Sequence, residues 1–245
     1  MFSAAKRHTM ERLKAAEIRT APFPHILVND IFPADFYAEV LRHMMRDTSY
    51  VPLVKTGRVG QNYSPARLCF TPLVIDAVGE DAESMNFWRD FFIAYNDAEF
   101  LQCWLEVFDG QLRTRINNDV SEGRAEAAAE MLLMRDKESY MLNPHMDSPS
   151  KAISALFYMP PDESQIMQGT SVYSLKQDVA AFPGGYHAPR ENFELMGTMP
   201  FRPNTVFVFP NLQDSYHGVE PFGLNQNRDV LLYDVKFMAP HGKSP

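Results

Sequence analysis

Apolar positions follow a helical period through the first half of this 245-residue chain and a strand-like pattern through the second. Residues 1–20 read as an exposed amphipathic helix. A second helix, from Pro33 to Arg46, is opened by Pro-Ala-Asp and carries Phe36, Val40 and Met44 on one side. From Lys55 to Arg67 the glycines Gly57 and Gly60, with Asn62 and Pro65, break any period, so a polar loop is expected. Helical spacing returns at Trp88, Phe91, Phe92 and Tyr95 and again at Leu101, Trp104, Leu105 and Phe108. Asn96-Asp97 supplies a stop and cap between them, and Gly110 a terminator. Such an aromatic stripe is read as a helix face packed against a sheet. Residues 119–130, with Glu122, Arg124, Glu126 and an alanine run, read as a helix or solvated connection.

From Met131 onward the pattern is strands and loops. Tyr140 to Asp147 leads through Ser148-Pro149-Ser150-Lys151 into the apolar run Ala152 to Tyr158, which reads as strand, tight turn, strand. Val206 to Asn211 is another β-rich run, followed by Ser215-Tyr216-His217-Gly218-Val219-Glu220-Pro221. A last strand runs from Arg228 to Phe237, with Arg228, Val230, Leu232 and Asp234 on one face. His145, Asp147 and His217 therefore all lie beside strands. Two imidazoles and one carboxylate can hold one face of an octahedral metal and leave three positions free. A His-x-Asp pair alone is weak evidence of this, and the surrounding sequence carries the inference.

Composition narrows the setting. At 245 residues and 45% hydrophobic, one domain with a sizeable core is expected, spanning 1–245 with helical support in 1–118 and a strand-rich core in 119–240. The net charge of −8 gives no general attraction to nucleic acid or anionic membrane. Two cysteines, Cys69 and Cys103, cannot build a disulfide framework and are read as small core residues in a reducing, cytoplasmic compartment. The first twenty residues are basic without an apolar segment, which speaks against a secretory signal, and no stretch is apolar enough to span a membrane.

The composite of Pro144-His145-Met146-Asp147-Ser148-Pro149-Ser150-Lys151, Leu156-Phe157-Tyr158-Met159-Pro160, Gly169-Thr170-Ser171-Val172-Tyr173, Phe209-Pro210-Asn211 and His217-Gly218-Val219-Glu220-Pro221 resembles the 2-oxoglutarate/Fe(II) dioxygenase superfamily, in particular its prolyl-hydroxylase-like branch. Pro22 to Ile26 with Ile31-Phe32-Pro33 resembles the N-terminal entry of many bacterial members. A single Gly169 stands where such enzymes often carry a double glycine. The resemblance implies an α+β fold: a double-stranded β-helix, or jelly-roll barrel, backed by N-terminal helices. It implies His145, Asp147 and His217 as Fe(II) ligands, with 2-oxoglutarate and O2 as co-substrates. It implies Arg228 as the anchor of the distal co-substrate carboxylate, with the Tyr158 hydroxyl at the same carboxylate. The expected reaction is hydroxylation of an unactivated C–H bond. Halogenation is excluded because relatives that halogenate need a small residue at the position of Asp147.

Other residues receive weaker readings. His25, His43, His187 and His241 are assigned no role. Asn143 and Tyr140 stand close to the ligands and have a contact or a packing reading. Arg58 and Arg67 in the N-terminal loop, and Lys151 and Arg190 near the barrel mouth, read foremost as surface charge, with contact to an anionic group as the second reading. The insertion from Gly169 to Pro203, with Phe182-Pro183-Gly184-Gly185-Tyr186, is expected to hold a lid. Candidate substrates are a free amino acid, a peptidyl side chain or a small metabolite, with no nucleic acid expected. Two other classes remain: a cupin-type metalloenzyme that does not use 2-oxoglutarate, and a non-catalytic jelly-roll binding module.

Overall fold

The computed structural model describes residues 1–71, 82–124, 126–222 and 227–238. His241 lies outside them. The helices are α1 (Phe2–Lys14), α2 (Ala34–Arg42), α3 (Ala82–Tyr95), α4 (Ala98–Val107) and α5 (Asp109–Ser121). The strands are β1 (Ile26–Asn29), β2 (Val51–Pro52), β3 (Arg67–Phe70), β4 (Glu126–Asp136), β5 (Leu142–His145), β6 (Lys151–Tyr158), β7 (Ser171–Leu175), β8 (Phe193–Thr198), β9 (Thr205–Pro210), β10 (His217–Val219) and β11 (Arg228–Met238). Every pairing among them is antiparallel: one sheet runs β1-β9-β6-β11-β4-β3-β2 and a smaller one β5-β10-β7-β8.

Strand alternation assigns the two faces of the large sheet to different cores. Leu231, Tyr233 and Val235 of β11 join Met131, Leu133, Ile153, Ala155 and Phe157 in a cluster that also takes Phe36, Trp88, Phe91, Tyr95, Phe100 and Trp104 from the helices. The aromatic stripe is thus a helix face packed on a sheet. Val230, Leu132, Met134, Tyr158, Phe207 and Phe209 form a second cluster from the opposite face, and Val172 of β7 packs into it from the small sheet.

The helix ends partly follow the sequence signals. Asp97 caps α4, its side chain accepting from Phe100 N at 2.9 Å. Gly110 does not terminate a helix; it lies in the first turn of α5, and α4 ends instead at Phe108. The alanine run after residue 125 is the start of β4, whose small side chains pair with Lys236 and Phe237 of β11. The N-terminal part is not only helical support: β1 pairs with β9 and β3 with β4, so it supplies strands to both margins of the large sheet.

At the end of β4 lies a fully buried carboxylate, Asp136. Arg67 of β3 donates to both of its oxygens, Nε to Oδ1 at 2.6 Å and Nη2 to Oδ2 at 2.9 Å, while Arg228 of β11 donates Nη1 to Oδ2 at 2.8 Å. The register explains this convergence, since Arg67 and Arg228 flank Asp136 as its cross-strand partners on either side. Removing the anion from such a cluster leaves two guanidinium charges inside the protein. Asp136→Asn is expected to lower unfolding free energy by about 3–5 kcal/mol in urea denaturation; a loss under about 1 kcal/mol would show the arginines to be solvated.

Candidate metal centre

His145 closes β5, and His217 opens β10 as its cross-strand partner. The two rings lie with centroids 4.3 Å apart. This pairing demands a close backbone approach, and Gly218 permits it: a Cβ there would sit 2.5 Å from Leu142 O. Asp147 lies two residues beyond the end of β5, in the turn that leads to β6. His145, Asp147 and His217 each offer one ligand atom, and the three lie within 4.8 Å of one another. His145 Nε2 is 4.0 Å from Asp147 Oδ1, and His217 Nε2 is 3.9 Å from Asp147 Oδ2.

Hydrogen bonds fix how these groups present themselves. His145 Nδ1 is 3.0 Å from Asn143 O, and His217 Nδ1 is 3.1 Å from Ser215 O. A carbonyl only accepts, so each Nδ1 carries the proton and each Nε2 keeps its lone pair for a metal. Burial pushes both imidazole pKa values down, that of His145 far down, which favours the neutral form a metal needs. Burial alone would raise the Asp147 carboxyl, but Lys151, the two histidines and Ser154 together hold it well below the usual carboxylate range. Ser154 Oγ donates to Asp147 Oδ2 at 2.6 Å, and Lys151 Nζ donates to Oδ1 at 3.1 Å. Lys151 also pairs with Asp234 Oδ2 at 2.8 Å, and Asp234 Oδ1 lies 3.1 Å from Ser154 Oγ. The donor set of two neutral imidazoles and one carboxylate fits a first-row divalent metal.

Lys151 is aimed at this site by a bulge. Asp234 pairs with Ser154 and Val235 with Ile153, but Lys236 pairs with Lys151, so Ala152 is an extra residue in β6. Regular alternation would send Lys151 to the helix-covered face with Ile153; the insertion brings it beside Asp147 instead. The turn around Asp147 is held from outside by Asn211, whose Nδ2 lies within 3.2 Å of Asp147 O, Ser148 O and Lys151 O. Arg115 donates to Asn211 O and Pro149 O.

A cavity of about 770 Å³ opens on the three ligands. Its walls include Leu132, Met134, Leu156 and Leu232 from the large sheet, Arg58 to Tyr63 from the loop before β3, and Arg67, Lys151, Thr170, His187 and Asp234. Arg228 and Tyr158 are not among its lining residues. Arg228 is fully buried behind the wall, donating to Gln168 O at 2.5 Å and lying 3.4 Å from Thr170 Oγ1, besides its bond to Asp136. The Tyr158 hydroxyl accepts from Thr170 N at 3.1 Å, and the Arg228 guanidinium is 5.9 Å from the Tyr158 ring. Thr170 thus stands between this pair and the cavity. Asn143 carries the carbonyl that orients His145. Tyr140 is fully buried, its hydroxyl 2.9 Å from that of Tyr63 and its ring under the Arg67 guanidinium at 4.3 Å.

Several contributors escape sequence reading. His187 packs against His145 with ring centroids 4.4 Å apart and planes tilted by 34°, and burial pushes its imidazole pKa down. Arg58 and Arg67 line the cavity, whereas Arg190 pairs with Glu220 and donates to Tyr173 along the small sheet. The segment expected to be a lid is tied to the ligand turn: Gly185 N donates to Met146 O at 2.8 Å and Ala188 N to Pro144 O at 3.0 Å. A Cβ on Gly184 would lie 2.7 Å from Asp147 O. This part of the insertion packs as a brace, and it is what delivers His187 to the site.

No protein-family model and no curated protein matches the sequence. Solved structures do resemble it. A prolyl 4-hydroxylase from Phytophthora capsici matches with a TM-score of 0.50 at 13% identity, over 96% of this chain and 67% of that one. A 2OG-Fe(II) oxygenase family protein from Burkholderia pseudomallei matches at 0.47 and 12% over 94% and 92%. The epimerase SnoN, solved with Fe3+, alpha ketoglutarate and nogalamycin RO, matches at 0.46 and 12% over 98% and 88%. Two antiparallel sheets with helices on the outer face of the larger one, and the match at a TM-score of 0.50, give the chain the fold of that prolyl 4-hydroxylase.

Proposed function

We propose that this chain is an Fe(II)- and 2-oxoglutarate-dependent dioxygenase that hydroxylates an unactivated C–H bond of an amino acid, a peptidyl residue or a small metabolite. The observation that carries the reading is the convergence of His145 Nε2, His217 Nε2 and the Asp147 carboxylate at one wall of a large cavity, with both Nδ1 protons committed to backbone carbonyls. In this reading the two facing sheets are the halves of a jelly roll and the ligands sit at its open end. When bound, Fe(II) with O2 supplies the oxidising power, converting 2-oxoglutarate to succinate and CO2 and delivering one oxygen atom to the substrate.

The chain's own residues do the positioning. His145, Asp147 and His217 hold the metal on one side and leave the cavity side free for co-substrate and substrate. Ser154 and Lys151 each bond one Asp147 oxygen, which would orient the carboxylate toward a metal. Arg228, aligned by Asp136, holds the distal carboxylate of 2-oxoglutarate past Thr170, with the Tyr158 hydroxyl beside it. Arg67 and Arg228 share only Asp136, so this buried cluster keeps one net positive charge to meet that carboxylate. Leu132, Leu156 and Leu232 keep the space between the two ends dry.

Three measurements test the reading. Purified protein is expected to bind one equivalent of Fe(II), and His145→Ala to lose that binding and all succinate formation while keeping its circular dichroism; full iron occupancy in the variant would remove His145 as a ligand. Asn211→Ala, which frees the ligand turn without touching a ligand, is expected to weaken metal affinity by about 10- to 100-fold. Unchanged affinity would show that the turn is held without it. Arg228→Ala is expected to weaken 2-oxoglutarate binding by roughly 10- to 100-fold, the value of a charge-assisted pair, with Arg228→Lys less affected and metal binding retained. Wild-type affinity in Arg228→Ala would move the anchor to Arg67, which lines the cavity itself.

A further inference from the structure

The cavity floor is ordered in rows across the large sheet. Leu132, Leu232 and Leu156 are cross-strand neighbours on β4, β11 and β6. One step along, Glu130, Asp234 and Ser154 form the next row, and one step further Lys236 lies opposite Lys151. The bulge at Ala152 makes these two lysines cross-strand partners on the cavity face, against the tendency of like charges to be kept apart on a sheet. Arg58 reaches the same end from the loop before β3, its Nη2 2.8 Å from Glu130 Oε1, while Lys236 Nζ is 2.6 Å from Glu130 Oε2. All of these charged residues line the cavity.

Hydrogen-bonding capacity at this end is one-sided. Both Glu130 oxygens are taken by cations, and Asp234 Oδ2 by Lys151. Among the described residues, Lys236 uses one of its three donors this way and the Arg58 guanidinium makes a single ion pair. The unspent capacity is therefore donor capacity on two cations that share one carboxylate, with Arg58 about one-third exposed and Lys236 slightly less. Water fills such a site when nothing else does, and an oxyanion fits it better.

We propose that Arg58 and Lys236 form an anion subsite that recognises a carboxylate or phosphate group of the substrate. Glu130, which the two cations share, lies two strands from Ser154, the residue bonded to Asp147, roughly 10 Å across the sheet. The inference rests on the oxygenase reading in taking the metal centre as the reacting end. A substrate recognised here is a small acidic molecule, or an acidic side chain, with its oxyanion several bonds from the carbon that reacts. It is separate from the co-substrate anchor, because Arg228 lies at the opposite end of β11, eight residues away.

The test uses the full-length protein and three probes by isothermal titration: hexanoate, hexyl phosphate and neutral hexanamide, each with and without saturating 2-oxoglutarate. Hexanoate or hexyl phosphate is expected to bind at least about tenfold tighter than hexanamide, the better of the two naming the oxyanion. Binding is expected to persist with 2-oxoglutarate present. Arg58→Gln and Lys236→Gln are each expected to weaken the anion about fivefold to tenfold, whereas Glu130→Gln, which frees both cations, strengthens it. A merely structural ion triad would not give that opposite sign. The proposal is overturned if neither anion binds, if hexanamide binds equally, if 2-oxoglutarate displaces the anion, or if Arg58→Gln changes affinity less than twofold. Failure of 2-oxoglutarate to bind at all would instead sink the dioxygenase reading and leave the subsite standing.

Discussion

Asp136 is the interaction on which the interior of this protein depends. A carboxylate without solvent contact needs cations beside it, and two guanidiniums without an anion would not stay buried. Together they form a compact group in which each member makes the others tolerable. The geometry is enforced by register, because Arg67, Asp136 and Arg228 are direct neighbours across β3, β4 and β11. Arg228 then reaches Gln168 O and lies beside Thr170, so the same group ties the large sheet to the strand that opens at Ser171. Shape and charge at the deep end of the cavity are set by one cluster.

From that cluster β11 runs along the cavity, and its alternation distributes chemistry by distance. Val230 packs with the inter-sheet core, Leu232 lines the apolar middle, Asp234 stands behind the candidate metal ligands, and Lys236 reaches the far end. The intervening residues face the helices, where Tyr233 packs against Phe100 and Trp104. A one-residue slip of this strand would exchange the two sets and bury the charges among the helix aromatics. The strand is paired over its whole length on the β4 side, and this leaves little room for such a slip.

Much of this was legible in the sequence, for reasons that can be named. The aromatic spacing in residues 88–108 is a helix period, and Arg228 to Phe237 is a strand period, so both elements and the shared face of Arg228 and Asp234 follow from pattern. The three candidate ligands could be named because their residue types stand in recognisable strand contexts, and the structure brings them together. Lys151 was not, because a bulge reverses its face and periodicity carries no signal for an inserted residue. His187 was not, because its position depends on two backbone bonds from an irregular segment to Pro144 and Met146. Arg58 and Arg67 read as surface charge since nothing local shows that a polar loop folds over a cavity. The alanine run before Met131 misled toward helix because alanine's propensity was read without its partner: it pairs along β11.

Asp147 is the ligand with the least regular support, and the most built around it. His145 and His217 are set by paired strands, but Asp147 lies in a turn that would be free to move on its own. Asn211 ties three of that turn's carbonyls, Gly184 packs against the Asp147 carbonyl where no larger residue fits, and Ser154 and Lys151 hold the two carboxylate oxygens. These contacts come from three different stretches of chain, so no single local rearrangement releases the carboxylate. One ligand atom from each of the three residues lies within 4.8 Å of the others, so folding itself gathers the three groups. The same brace that carries Gly184 also carries His187 onto the His145 ring, so the support of the weakest ligand and one wall of the cavity are a single structural feature.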